Sequence, residues 1–314
     1  MVDAPTPTLE YLQEYSGQPG MVVAVIFIPI NLIFVALRFI ARSIKSAPWG
    51  LDDVLIIPSL MCCLTLSVTS ICAITYGGAG YHIQALAATD PAKLVIFARM
   101  LYAAPIIYLW AVTIPKLAIL AMYLRLFTYG FYRTTSIIIA VILITATIIN
   151  FVSFFMCHIE SYLPEKSEPH GQYPVDCRKL FVWGSMPNII TDVMMLVLPQ
   201  PVIWKLHTSR KVKLGLSLTF LTGSVGLITS ILRFAEFARN HSLVDETWTT
   251  VLPICYTIIE PSLYLVAACL PSLRPIFTKV KESLSKVRFS SLSAWSIVAS
   301  LRGRSRTSLH SIPI

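Results

Sequence analysis

The sequence predicts an all-α membrane protein that is a bundle of seven transmembrane helices. Of its 314 residues, 55% are hydrophobic and only 13% are charged, whereas soluble domains carry about 25% charged residues. The apolar residues gather into segments of about 20 residues or more, which is the length that a helix needs to cross a bilayer. Basic residues collect in alternate loops, as they do in multi-pass proteins. We therefore expect a multi-pass protein of the plasma membrane or an endomembrane.

Seven apolar segments follow one another along the chain. A short Ser-Ala-Pro-Trp-Gly turn separates the first two, a Gly-Gly-Ala-Gly run starts the loop before the third, and the polar loop 158–178 precedes the fifth. Pro199 and Pro201 break the fifth segment late, and the basic run KLHTSRKVK follows it. We expect the spans at 21–40, 51–76, 97–125, 134–157, 180–204, 214–238 and 248–270.

The third span contains an unusual charge. Between Arg99 and Arg125 lie 25 residues, of which only Lys116 is charged. This length corresponds to about 37 Å of helix, enough to cross a bilayer with some tilt. Pro105 and Pro115 would kink or break a soluble helix, but neighbouring helices in a membrane bundle can satisfy the freed carbonyl groups. A lone lysine is costly in hydrocarbon, so Lys116 should face the bundle interior and find a partner there.

The loop charges predict that the N-terminus lies outside and the C-terminus in the cytoplasm. The loops after the first, third and fifth spans carry three, two and four lysines or arginines, and the tail from Pro271 carries eight. The first 20 residues carry none and are acidic. Basic loops stay on the cytoplasmic side. We expect a short extracellular segment at 1–20, a transmembrane domain at 21–271 and a basic, Ser/Arg-rich cytoplasmic tail at 272–314.

The tail contains a further helical pattern. Phe277, Val280, Leu284 and Val287 recur at helical spacing with lysine and arginine between them. This pattern predicts a short amphipathic surface helix that lies on the anionic inner leaflet after the seventh span. The inner loops and the tail account for the net charge of +9. We therefore expect the lipid bilayer, and no nucleic acid, as the partner of this charge.

Five motifs lie in a fixed order along the chain. They are WGLDDVL at 49–55, YGGAGYH at 76–82, PKLAILAMYLRLF at 115–127, NIITDVMMLVLPQPVIWKL at 188–206 and CLPSLRPIF at 269–277. Together they resemble the fungal rhodopsin-domain integral membrane proteins, and the resemblance covers about residues 30–277. It implies a seven-helix protein of a filamentous fungus. Members of this family are described as candidate G-protein-coupled receptors, and others are encoded in mycotoxin and secondary-metabolite gene clusters.

The family name does not imply that this protein binds retinal. A retinal Schiff base needs a lysine amine in the pocket, and opsins take that lysine from the seventh helix. The sequence between Trp248 and Leu270 contains no lysine, and Lys116 is on the third span. Light sensing is therefore excluded, and we expect no cofactor. We also expect no metal site, because the seven cysteines show no CxxC spacing and His82 and His158 stand alone at the outer face.

Three ionisable residues lie deep in the spans. Lys116, Asp192 and Glu260 lie 9, 12 and 10 residues from the expected inner ends of their spans. These separations correspond to about 13, 18 and 15 Å, so the three side chains share one layer near the midplane. The functional interpretation of this layer is the polar floor of a ligand pocket or a switch between helices. The structural interpretation is an ion pair that fixes helix packing. In each case Lys116 should lie within reach of one of the two carboxylates.

Two further sets of charges predict structural ion pairs. Arg233 and Glu236 lie three residues apart near the outer end of the sixth span and can pair within that helix. Asp52 and Asp53 begin the second span at its inner mouth and face Arg38 and its basic neighbours at the end of the first. An ion pair and the capping of the helix N-terminus explain these two aspartates.

Two cysteines and one asparagine lie at the predicted outer face. Cys157 and Cys177 flank the loop between the fourth and fifth spans, and an oxidising exterior favours a disulfide between them. Asn240 begins an Asn-His-Ser glycosylation sequon. It lies only a few residues from the membrane, which argues against its modification.

Two classes of function fit these patterns. The first is a receptor-like protein, in which a pocket between helices binds a small lipophilic molecule or a surface cue and the basic inner loops meet a cytoplasmic signalling protein. The second is a membrane component of a secondary-metabolite or mycotoxin cluster, either an accessory protein or an intramembrane enzyme. In such an enzyme Asp192 or Glu260, kept protonated by burial, would act as the general acid. The sequence offers no paired acidic motif, metal cluster or nucleophile–base pair, which makes the enzyme the weaker hypothesis.

Overall fold

The computed structural model of the protein is built of α-helices. It describes residues 14–45, 49–126, 130–162, 183–200, 210–239 and 245–273. The helices are α1 (Gln18–Lys45), α2 (Leu51–Thr75), α3 (Ile83–Thr89), α4 (Pro91–Leu126), α5 (Gly130–Tyr162), α6 (Met186–Val197), α7 (Arg210–Arg239), α8 (Glu246–Thr249) and α9 (Val251–Cys269). A 3-10 turn, Leu270–Leu273, follows α9. Within the described ranges the chain forms no β-strand, so the predicted all-α class is confirmed.

Six of the described helical segments are long and apolar enough to cross a membrane. Five of them are α1, α2, α4, α5 and α7. The sixth is the continuous segment Glu246–Leu273, which contains α8 and α9. The protein is therefore a multi-pass membrane protein that lies in a lipid bilayer. The fifth predicted span, at 180–204, contains α6, an apolar helix of 12 residues, which is shorter than the roughly 20 residues that a span requires. The described residues thus support six spans. The additional span predicted at 180–204, which would bring the number to seven, stays a prediction.

Proline lies inside four of the long helices without ending them. A proline removes one backbone donor and normally kinks or breaks a helix in water. In α4, the helix continues from Pro91 to Leu126 through two internal prolines, as expected for a helix whose neighbours in the bundle support it. The internal prolines are Pro29, Pro58, Pro105, Pro115 and Pro261.

Helix packing arranges the bundle as a ring. Around it α1 packs on α2, α2 on α4, α4 on α5, α5 on α6, α6 on α7, α7 on α9, and α9 returns to α1. Helix α9 also packs on α2 and α4. In its most apolar window 67% of the residues are buried, against 17–33% in the other five spans. Helix α9 is therefore the most buried of the six spans, and the other five expose more of their apolar side chains on the outside of the bundle.

A cap closes one end of the bundle. The segment before α1, the loop between α2 and α3, and the start of α8 are joined by hydrogen bonds. Ser16 N donates to Gly80 O at 2.9 Å, Gly80 N donates to Thr247 O at 2.8 Å, and Thr247 Oγ1 donates to Tyr81 O at 2.7 Å. Gly80 has a φ of 102°, and a Cβ there would lie 2.4 Å from Gly17 N. Only glycine fits this crossing. We call this end the capped end.

Several predictions fall outside the described residues. They concern the amphipathic helix of the tail, the segment before residue 14 and the sequon at Asn240. Cys177 and the side chain of Cys157 also lie outside the described residues. The predicted Cys157–Cys177 disulfide therefore has no support from the structure. The cysteines whose side chains the structure describes are free thiols. They are Cys62, Cys63, Cys72, Cys255 and Cys269.

Candidate functional site

The three ionisable residues predicted to share one layer meet in the middle of the bundle. Lys116 on α4 and Glu260 on α9 are 0% exposed, and Asp192 on α6 is 2% exposed. Lys116 Nζ lies 2.5 Å from Asp192 Oδ1. Of the two carboxylates that could neutralise the lysine, Asp192 therefore makes the direct ion pair, which satisfies the requirement that a buried charge be paired.

Asn188 connects this ion pair to Glu260. Its side-chain oxygen accepts a hydrogen bond from Lys116 Nζ at 2.5 Å, and its Nδ2 donates to Glu260 Oε1 at 2.7 Å. An amide can make this link because it carries both an acceptor and two donors. Asn188 is absent from the residues predicted from the sequence. The signal that would identify it is its position four residues before Asp192, since that spacing places both side chains on one face of α6.

Glu260 is the acceptor on which three other helices converge. Its Oε2 accepts hydrogen bonds from Tyr108 Oη at 2.6 Å and from Arg233 Nε at 3.1 Å. Its Oε1 contacts the hydroxyl of Ser230 as well as Asn188. Both carboxylate oxygens are therefore occupied, by groups from α4, α6 and α7. A buried carboxylate needs such donors to replace the water that it has lost.

Arg233 makes an ion pair across helices, with Glu260 on α9. The guanidinium group also lies over the ring of Tyr108, 4.3 Å from its centroid. Arg233 is buried, whereas Glu236 is half-buried. Spacing along α7 does not reveal the contact with α9, and the pairing of Arg233 with Glu236 stays a prediction.

We call these linked side chains the central network. It joins α4, α6, α7 and α9, and with all four ionisable groups charged it contains two positive and two negative charges. Its members are Tyr108, Lys116, Asn188, Asp192, Ser230, Arg233 and Glu260. The cavity beside it has a volume of about 20 Å³ and is lined by Asp192, Tyr264 and Thr219, among others. That volume holds about one water molecule, whereas ligand pockets measure roughly 300–1,000 Å³.

The charges predicted to pair near the ends of α1 and α2 do lie together. Arg38 Nη2 lies 2.6 Å from Asp52 Oδ2 and 2.9 Å from Asp53 Oδ1. Arg38 Nη1 also donates to the backbone oxygen of Ala268 at 2.6 Å. This arginine is 1% exposed, so its guanidinium group ties α1 to both α2 and α9 at the end of the bundle opposite the cap.

Two more arginines complete this group. Arg42 lies 2.5 Å from Asp52 Oδ2 and 2.9 Å from Asp53 Oδ1, and Arg125 Nη1 lies 3.5 Å from Asp52 Oδ1. Asp53 also accepts a hydrogen bond from the backbone of Gly50 at 3.2 Å, which caps the start of α2 as expected. We call Arg38, Arg42, Arg125, Asp52 and Asp53 the arginine cluster.

His82 at the capped end is not isolated, in contrast to the expectation from the sequence. Its ring stacks on Trp248 with centroids 4.1 Å apart and planes within 9°. Its Nδ1 contacts the carboxylate of Asp245, and its Nε2 lies 3.4 Å from Glu14 Oε2. These partners lie 163 and 68 residues away in the chain, so only the folded structure brings them to the histidine.

Comparison with known proteins places the chain among fungal membrane proteins. It is 38% identical over 277 residues to the polyenoic acids biosynthesis gene cluster protein Ba17b of Metarhizium anisopliae, covering 85% of this chain and 76% of that protein. It is 28% identical over 218 residues to a SAT4 family membrane protein of Emericella nidulans, covering 67% of this chain and 54% of that protein.

A receptor is also among the relatives. The chain is 23% identical over 180 residues to Receptor GIN3 of Arthrobotrys oligospora, covering 54% of this chain and 41% of that protein. It thus spans about half or less of the SAT4 protein and of this receptor. No solved structure matches the chain.

The family assignment comes from a match over most of the chain. The model described as the fungal rhodopsin domain matches residues 37–279. This range includes every member of the central network and of the arginine cluster. The chain therefore belongs to the fungal rhodopsin domain family.

Proposed function

We propose that the protein is a receptor-like membrane protein in which the central network acts as a switch between helices in response to a small lipophilic molecule. The observation that supports this proposal most directly is the network itself. It joins four helices through charges buried away from water, and a buried charge is costly unless it is paired. A shift of one helix must therefore exchange partners in discrete steps, which is the behaviour of a two-state element.

The proposed topology gives this switch two sides. We propose that α6 is part of a complete span at 180–204, which brings the number of spans to seven and leaves the N-terminus outside. The capped end then faces outwards and the arginine cluster faces the cytoplasm. The basic inner loops and the tail would meet a cytoplasmic signalling protein at that side, since positive charge is retained there.

The geometry favours a switch over an intramembrane enzyme. A general acid must come within hydrogen-bond reach of the group that it protonates. The oxygens of Glu260 are occupied by side chains, Asp192 contacts Lys116 and Ser230, and the adjacent space is about 20 Å³. A substrate would have to displace the buried network to reach either carboxylate.

The test is to separate folding from signalling in a fungal strain that lacks the gene. Copies carrying Lys116→Met, Asp192→Leu or both are introduced. We measure two quantities for each variant. The first is protein abundance in the membrane, and the second is the transcriptional response, defined as the set of transcripts that differ between the deletion strain and the wild type. We expect the double variant to restore abundance without restoring the transcriptional response. A double variant that restores both would show that the network only packs helices, and the switch would be rejected.

A second candidate function follows from the similarity to Ba17b, which is named as a biosynthesis gene cluster protein. In that case the chain would be an accessory component of a secondary-metabolite cluster. The discriminating experiment compares metabolites and biosynthetic transcripts in the deletion strain. A product lost while its biosynthetic transcripts stay unchanged supports the accessory component, and a product lost together with those transcripts supports the receptor.

A further inference from the structure

A groove between α5 and α6 is much larger than the cavity beside the central network. Its volume is about 530 Å³, which lies within the range of ligand sites. One wall is formed by α5, with Val141, Ala146 and Ile149 among its residues. The other is formed by Trp183, which precedes α6, and by Pro187 in the first turn of α6. The groove opens sideways, because Val141 and Ile149 are 57% and 59% exposed on a lipid-facing side of the bundle.

A specific contact holds the two walls at a fixed distance. Asn150 Nδ2 on α5 donates to the backbone oxygen of Gly184 at 3.1 Å and to that of Ala146 at 3.0 Å. A Cβ at Gly184 would lie 2.2 Å from Asn150 Oδ1, so glycine permits this close approach. The groove is therefore bounded by a hydrogen-bonded joint between helices, and it is more than a gap between loosely packed side chains.

The lining indicates the chemistry of an occupant. The lining towards Val141 is mainly apolar, with Thr145 as its polar member, whereas Asn150 and Ser153 lie further along α5. Trp183, whose indole can donate a hydrogen bond, also lines the groove. This arrangement suits an amphiphile with one hydrocarbon chain and a head that exchanges hydrogen bonds. The described lining residues include no lysine, arginine or other charged side chain. A phosphate head would find no cationic partner among them, which favours a neutral head such as an alcohol or an amide over a membrane phospholipid.

The groove is directly connected to the central network. Pro187 lines the groove, and the next residue of α6 is Asn188, which contacts both Lys116 and Glu260. A molecule that occupies the groove presses on the first turn of α6 and so on the residue that links the two ion pairs. We propose that the groove binds a neutral single-chain lipophile from the bilayer and that its occupancy is transmitted through α6 to the central network. The second part rests on the receptor-like function proposed above.

Photolabelling tests the binding site directly. The full chain is reconstituted in phospholipid nanodiscs, labelled with a diazirine derivative of hexadecanol, and the labelled peptides are identified by mass spectrometry. We expect labels on 141–153 of α5 and on 183–187, at and just before the start of α6, that unlabelled hexadecanol removes and hexadecylphosphocholine does not. Labels spread evenly over the lipid-facing sides of all helices, or equal competition by both compounds, would overturn the proposal.

Two variants on one helix provide the matched comparison. Ala146→Phe fills the groove, whereas Ile148→Phe changes a neighbouring side chain that is 55% exposed and does not line the groove. We expect Ala146→Phe to reduce groove labelling about tenfold or more, because a filled site must open before a ligand enters, and Ile148→Phe to leave it unchanged. Ile149→Trp is the second filler, used if Ala146→Phe yields no folded protein. Equal labelling of either folded filler and the control would reject the site.

The same variants separate this inference from the proposed function. If the fillers abolish labelling but the transcriptional response persists in the fungus, the groove binds a lipophile and the receptor-like coupling is wrong. If labelling fails while the Lys116 and Asp192 variants behave as a switch, the receptor-like function stands and the groove is rejected as its ligand site.

Discussion

The central network and the arginine cluster both bury opposite charges between helices, but they differ in how many oppositely charged partners each charge is described with. In the arginine cluster, Asp52 and Asp53 each contact both Arg38 and Arg42. In the central network, the ion pair described for Lys116 is with Asp192 alone. The loss of one arginine leaves each aspartate with a cationic partner, whereas the loss of Lys116 removes the cation that is described as paired with Asp192 and leaves the hydrogen bond from Ser230.

The arginine cluster and the central network also differ in their exposure to water. The arginine cluster lies at helix ends, where Arg125 is 40% exposed along its side chain and water can screen what remains. The four charged members of the central network are at most 5% exposed. Duplicate partners near the surface suit a clamp that holds helices together, and single partners in the interior suit an element whose contacts depend on the exact position of each helix. The predictions below test this contrast.

The largest effect is expected for Glu260→Leu. This change leaves the guanidinium of Arg233 buried without its carboxylate and removes the acceptor for Tyr108, Ser230 and Asn188. We expect a loss of folding free energy of about 3–5 kcal/mol, measured as thermal unfolding of the protein in nanodiscs. Glu236→Leu on α7, at a half-buried position, is the control and should change stability little. Equal losses of stability in the two variants would contradict the stabilising role assigned to Glu260 in the central network.

The next effect tests the single partner of the lysine. Lys116→Met strands Asp192 and should reduce folded protein by a similar mechanism, with a cost of about 3–5 kcal/mol. The double variant with Asp192→Leu should be close to the wild type in stability, because replacing both charges of a buried pair is often neutral. Size-exclusion profiles of fluorescently tagged protein report the folded fraction. A harmless Lys116→Met would show that the ion pair does not stabilise the bundle.

A smaller effect is expected in the arginine cluster. Arg42→Met should cost about 1 kcal/mol, because its side chain is 16% exposed and Arg38 still contacts both aspartates. Arg38→Met should cost about 2 kcal/mol, since it also removes the hydrogen bond to the oxygen of Ala268. Unfolding by heat in the same nanodiscs ranks the two. If Arg42→Met were as damaging as Lys116→Met, the contrast between duplicate and single partners would fail.

The smallest effect separates hydrogen bonds from charges within the central network. Ser230→Ala removes the hydroxyl that contacts both Asp192 and Glu260 but no charge, and it should cost about 1 kcal/mol. Ser67 on α2 is the matched control: it is buried and donates only to the oxygen four residues earlier at 3.0 Å. Ser67→Ala should be close to neutral, because such bonds add little to a helix. Identical unfolding of the two variants would assign no stabilising role to the Ser230 hydroxyl.

Much of this architecture follows from local features of the sequence. Hydropathy predicted the membrane spans that the structure contains, and a short turn between Arg38 and Asp52 makes their contact easy to anticipate. Counting residues from the ends of the spans placed Lys116 level with its carboxylate partner. These inferences succeed because length and rise per residue fix depth in a membrane.

Other features depend on which way a side chain faces, and the sequence pattern does not fix this. The ion pair of Arg233 with Glu260 on α9 is one case, and the contact of His82 with Asp245, 163 residues away in the chain, is another. Ser230 is uncharged, and nothing in the composition of α7 distinguishes it from polar residues that only bond their own backbone. For Asn188 the sequence offers only its position four residues before Asp192. The length of α6 is the third case, because a hydrophobic segment does not show where its helix begins and ends.

The balance of charge in the central network has an electrical consequence. A membrane potential does work of about 2.3 kcal/mol per 100 mV on each elementary charge that crosses the membrane. Lys116 and Arg233 are in contact with Asp192 and Glu260, so the four charges sum to zero, and a movement that carries all four groups together through the field does no net work. An exchange of partners does work only to the extent that a cation moves along the membrane normal relative to the carboxylates. The proposed switch therefore responds to the membrane potential only through these relative displacements.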